Sequence, residues 1–175
     1  MIDTTILREL LEDHERFSEI AVSLPWAETT VTYIQETKAH PHQWAFITAV
    51  RFPQGYVNAH FAEAYVQTRI THLSCTEEWG ADSYKDWTPE EKRLHLQSFQ
   101  SEYTGFKLDL STMQAEDVAK EITDHCKAPF PAERILPLLT AGASVYIGWY
   151  ADDISWDYLT VSGDTVMLIT LSVAA

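Results

Sequence analysis

Residues 158–171 read Tyr158-Leu159-Thr160-Val161-Ser162-Gly163-Asp164-Thr165-Val166-Met167-Leu168-Ile169-Thr170-Leu171. Two β-branched, apolar runs flank Ser162-Gly163-Asp164, which has the composition of a tight hairpin connection. The second run is apolar on both faces, as expected of a strand at the middle of a sheet. Extending each way, Ser144–Tyr150, Ile154–Val161 and Thr165–Val173 are predicted strands.

Upstream the period lengthens. Ile6, Leu7, Leu10, Leu11, His14, Phe17, Ala21 and Leu24 recur at helical spacing, predicting one amphipathic helix over 4–24 that Asp3 or Thr4 caps and Pro25 ends. Thr29–Glu36 and Gln43–Phe52 alternate and predict an antiparallel pair joined by a loop at His40-Pro41-His42. Residues 58–75 fit both a helix and, at Tyr65–Ile70, a short strand, and the longer period favours the helix. Thr76–Trp87 reads as a polar loop. Thr88-Pro89-Glu90-Glu91 is a capping box with Pro at the first helical position, opening a helix to about Tyr103. Phe106–Leu110 is a short strand, Ser111 or Thr112 caps a helix through Lys127, and a shorter helix covers Ala132–Thr140. The expected class is α+β: a single globular domain over 1–175, with a mostly antiparallel sheet and a C-terminal β-hairpin packed by several helices.

Composition narrows the partners. The chain has 26 Asp and Glu against 12 Lys and Arg, a formal net charge of -14. That field repels nucleic-acid phosphates and anionic membranes and attracts basic proteins. Cys75 and Cys126 are read as free thiols in a reducing cytoplasm, and the first residues lack the basic and apolar regions of a secretory signal. A cytoplasmic location is the default expectation.

Common catalytic motifs do not occur. The glycines at 55, 80, 105, 142, 148 and 163 make neither a dinucleotide fingerprint nor a P-loop, and there is no nucleophile elbow or C-x-x-C. No cofactor is expected. His40, His42, His72 and Cys75 form the best alternative, a small metal-dependent hydrolase, with His72 and Cys75 on one helix face. The neighbouring carboxylates Asp152–Asp153 and Glu77–Glu78 are ordinary on an acidic surface, and acid–base catalysis would need burial to raise one pKa.

The distinctive composition lies elsewhere. No Lys or Arg occurs after Arg134, and residues 148–158 combine Trp149, Tyr150, Asp152, Asp153, Trp156, Asp157 and Tyr158. Trp149 and Trp156 alternate into the predicted strands, so part of this cluster is packing. The acidic stretch with Glu77, Glu78, Trp79, Asp82, Tyr84, Asp86 and Trp87 repeats the composition. Charged rims steer association and aromatics anchor a buried centre. The expected partner-binding residues are therefore Asp152, Asp153, Asp157, Tyr150, Trp156, Glu77, Glu78, Trp79, Asp82, Tyr84 and Asp86. The expected function is an acidic inhibitor of a basic protein, most concretely a bacterial immunity protein or antitoxin that plugs the active-site cleft of a nuclease-like toxin domain. A DNA-mimic inhibitor is a further alternative.

Overall fold

The structure, a computed structural model, describes residues 2–34, 43–76, 81–102, 108–126, 132–149 and 155–173. Its centre is the hairpin predicted above. Strands β5 (Ser155–Ser162) and β6 (Thr165–Val173) pair antiparallel in register, from Ser162 opposite Thr165 to Ser155 opposite Ser172. Gly163 takes the left-handed conformation at φ 58°, which a glycine adopts without a Cβ penalty. β6 also pairs with β2 (Gln43–Arg51), which pairs with β1 (Thr30–Ile34). On the other side β5 pairs with β4 (Ala143–Trp149), which pairs with β3 (Leu108–Met113). The six-stranded antiparallel sheet thus has the order β1-β2-β6-β5-β4-β3, with the doubly apolar β6 inside it as its sequence demands.

Alternation sorts the strand residues onto two faces, and helices cover both. On one face Val50, Val145, Ile147, Leu159, Val166 and Leu168 pack against α1 (Thr4–Glu12), α2 (His14–Ser23), α3 (Tyr56–Ala59), α4 (Phe61–Thr76), α5 (Ala81–Tyr84) and α6 (Pro89–Glu102). On the other, Ala45, Ile47, Ala49, Tyr158, Met167, Ile169 and Leu171 meet Val118 and Ile122 of α7 (Ala115–Cys126) and Ile135 and Leu139 of α8 (Ala132–Ala141).

The capping box forms as expected: the Glu91 amide donates to Thr88 Oγ1 at 3.3 Å and the Thr88 amide donates to Glu91 Oε2 at 2.7 Å. The helix expected over 58–75 is α4 from Phe61 onward, while residues 58–59 end α3 and His60, at φ -136° and ψ 54°, breaks the two apart. Three predicted boundaries are corrected. The expected single helix over 4–24 is two, because Asp13 stops α1 and caps α2; its amide donates to Glu9 O at 2.8 Å and its carboxylate accepts from the Arg16 amide at 3.0 Å. Ser111 and Thr112 do not cap α7, since their backbone stays paired with β4 as far as Met113 opposite Ser144. The stretch expected to be a polar loop up to Trp87 contains α5, whose Tyr84 is fully buried.

Asp164, in the β5–β6 turn, ties the hairpin to α3. Its carboxylate accepts from the Gly55 amide at 2.9 Å and the Val57 amide at 3.4 Å, serving helix donors that lack an internal partner. Asp164→Ala is expected to cost about 1 kcal/mol, measurable as a lower urea midpoint with an unchanged denaturant slope.

Candidate functional site

Ten consecutive residues of α4, from Ala64 to Leu73, are buried. Five of them are polar or charged: Gln67, Thr68, Arg69, Thr71 and His72. Buried polar groups must find partners, and these do. Gln67 exchanges two hydrogen bonds with the backbone of Ala27, at 3.1 and 2.9 Å. Thr68 and Thr71 donate to carbonyls one turn back on their own helix.

Arg69 and His72 reach the sheet. An Arg69 guanidinium nitrogen donates to Asp157 Oδ2 at 2.6 Å, and two others lie 3.3 and 3.1 Å from the Tyr65 hydroxyl. Thr170, opposite Asp157 in the register, donates to Asp157 Oδ1 at 2.6 Å. His72 bridges Thr170 through Nε2 and Thr48 through Nδ1, each at 2.8 Å. Because the Thr170 hydroxyl proton goes to Asp157, Thr170 accepts from His72. Nε2 therefore carries the ring proton, and Nδ1 accepts from Thr48. Burial holds His72 neutral, its pKa lowered to about 4, with Asp157 opposing and Arg69 reinforcing the shift. Burial alone would raise Asp157, but the Arg69 charge, the Thr170 hydroxyl and His72 outweigh it and leave the pKa below the usual carboxylate range.

The opposite face of β5 builds an open cleft. The register aligns Ser111, Tyr146 and Tyr158 across β3, β4 and β5. Trp156, two residues before Tyr158, shares that face; its indole Nε1 donates to the Tyr158 hydroxyl at 3.0 Å, and that hydroxyl donates to the Glu121 carboxylate of α7. Burial and then the Glu121 hydrogen bond raise the Tyr158 pKa, so the phenol stays protonated. His125 meets Trp156 edge-on at 5.3 Å. Gly148 lets the Tyr146 ring lie along the strand, since a Cβ there would sit 2.7 Å from Tyr146 Cε1. Ser111, Met113, Glu121, Tyr146 and Trp156 line a cleft of about 530 Å³.

The expected partner-binding residues divide. Asp157 is not a surface anchor: it is 4 % exposed and neutralised by Arg69. Tyr84 is not one either; it is fully buried, ringed by Trp26, Trp87 and the Lys92 ammonium. Both corrections have one cause, since Arg69 and Lys92 supply the inner cations that acidic and aromatic residues otherwise seek from a partner. Asp86 is exposed, and Trp156 is half-buried on the cleft wall. Tyr150, Asp152, Asp153, Glu77, Glu78 and Trp79 lie outside the described residues, as do the side chains of Asp82 and Trp149. The elements that flank both acidic runs do end at the same end of the sheet: Ser155 pairs with Ser172, Trp149 with Leu108, and the C-terminal half of α4 lies against Asp157 and Thr170.

In the metal alternative, His40, His42 and the side chain of Cys75 also lie outside the described residues. His72 has both ring nitrogens engaged by threonines. Among the described residues no group of three His, Cys, Asp or Glu is placed to hold a metal ion. Sequence reading missed Glu121, Tyr146 and Arg69. The alternation of Tyr146, Trp156 and Tyr158 carried part of the signal, but pairing them needed the strand order.

Arg69→Met leaves Asp157 buried and unpaired and is expected to cost about 3–5 kcal/mol, whereas adding Asp157→Leu restores most of it; chemical denaturation of both variants decides this. An unfolded histidine protonates near 6.5 and His72 only near 4. The unfolded chain therefore takes up the extra proton as pH falls between those values, so the contribution of His72 is full above 6.5 and erodes by of order 3 kcal/mol toward 4. His72→Gln is expected to flatten the melting-temperature profile over that window.

No family model, curated protein or solved structure matches this chain. Among the described residues no helix is long and apolar enough to cross a membrane.

Proposed function

We propose that this chain is an acidic inhibitor that binds a basic protein in the cytoplasm, most concretely an immunity protein or antitoxin that occludes the phosphate-binding cleft of a nuclease-like toxin domain. The observation that carries the reading is how the protein uses its own cations. Of the twelve Lys and Arg, Arg8, Arg16, Arg93 and Lys120 each pair with a carboxylate of the same surface, Arg69 is sealed in the core, and Lys92 is buried over Tyr84. At least half of the positive charge is thereby spent internally, and the surplus carboxylates set the external field. Exposed Glu15, Glu19, Glu116, Asp117 and Glu121 spread that field over the helices of both layers. A cleft built for phosphate presents the complementary sign, and complementary fields speed encounter.

The test is affinity capture from the source cell's lysate with tagged protein, washed at low and then high salt. The expected result is one basic protein retained in stoichiometric amount, whose nucleolytic activity the tagged chain abolishes at equimolar ratio. Its association rate should fall by about tenfold or more as ionic strength rises from about 0.01 to 0.5 M. A retained protein whose activity is unaffected, or an association rate indifferent to salt, would sink the inhibitor reading. Inhibition only in competition with DNA, without selectivity among nucleic-acid enzymes, would point instead to a DNA mimic.

A further inference from the structure

We propose that the cleft between α7 and strands β3, β4 and β5 receives an arginine side chain from the basic partner. The partner's identity rests on the inhibitor reading, but the chemistry of the cleft stands on its own residues. Tyr146 and Trp156 are half-buried and give the cleft aromatic walls, Met113 adds a thioether, and Ser111 is exposed at its margin. Rings and thioether favour a flat, weakly hydrated cation over a compact, strongly hydrated one.

The carboxylate is held ready. Glu121 accepts from the Tyr158 hydroxyl, which is itself oriented by Trp156, so the carboxylate is fixed toward the rings. One of its oxygens remains for a ligand, and the group is exposed. A guanidinium stacked between Tyr146 and Trp156 would donate to that oxygen in a charge-assisted hydrogen bond. The surroundings match in sign. Asp117 lies one turn before Glu121 on α7 and is exposed. Asp109 stands opposite Gly148 on the cleft face of β3. The nearest cation on α7, Lys120, is taken by Asp124. Gly148 completes the design, because any side chain there would lift Tyr146 off the strand and narrow the cleft.

Hexa-arginine is the probe, titrated into the intact protein while the Trp156 indole signal, assigned through Trp156→Phe, is followed by NMR. The expected result is a saturable shift of that signal. Glu121→Gln, which keeps an acceptor for Tyr158, should weaken binding by about tenfold, whereas Glu19→Gln on α2 should leave it within about twofold. Equal weakening by the two variants, or hexa-lysine binding as tightly as hexa-arginine, would overturn the proposal. Partner capture separates this idea from the one beneath it. If Glu121→Gln retains the basic partner as well as the unaltered chain does, the arginine site fails and the inhibitor reading stands. If hexa-arginine occupies the cleft but no basic protein is captured, the inhibitor reading fails and the site stands.

Discussion

A helix enclosed on every side governs this structure. From Ala64 to Leu73 every residue of α4 is buried, yet half of those side chains are polar. Each therefore has to bond to a particular neighbour or forfeit its hydration. Through Gln67 the helix holds the backbone ahead of β1, through Arg69 it holds β5, and through His72 it holds β2 and β6. Apolar side chains of similar volume would stabilise the core at least as well. What the polar set adds is position: a one-residue slip of β5 would withdraw Asp157 from Arg69 and turn Trp156 and Tyr158 toward α4.

The same alternation links the core to the cleft. Asp157 points to one face of β5, while Trp156 and Tyr158, on either side of it, point to the other. The strongest anchor on the strand thus sits between the two aromatics that connect to Glu121. The sheet acts as a rigid partition, with charge neutralised on one side and a carboxylate left open on the other. Its two helical layers follow from β6, whose side chains are buried in both directions.

Legibility in the sequence followed the physics of each element. The β5–β6 hairpin, the capping box at Thr88 and the α+β class were readable, because turn chemistry and period are local properties. Residues 58–75 were ambiguous for a physical reason: a helix buried all round has no apolar stripe, so the usual signal of helix against strand is absent. Asp13 hid a break because an aspartate within a helical pattern is equally at home as an exposed residue or as a cap. Of the site, Trp156 was legible from composition. Asp157 and Tyr84 were misplaced, since their cations Arg69 and Lys92 are distant in the chain or in a different element. Glu121 and Tyr146 became partners only once β3, β4 and β5 were known to be neighbours.

The strand order also sets a timetable for synthesis. β1 and β2 are made early, but β2 lies against β6, and the contacts that lock this arrangement span 88 residues between Arg69 and Asp157 and 109 between Gly55 and Asp164. Until β6 leaves the ribosome, the edge of β2 that β6 will cover stays bare, and Arg69 and His72 lack Asp157 and Thr170. Long-range closure of this kind is slow, and exposed edges and apolar faces invite association in the interval. On a nascent chain, the surplus of carboxylates that repels its own copies therefore acts as a guard against aggregation before it acts on any other molecule.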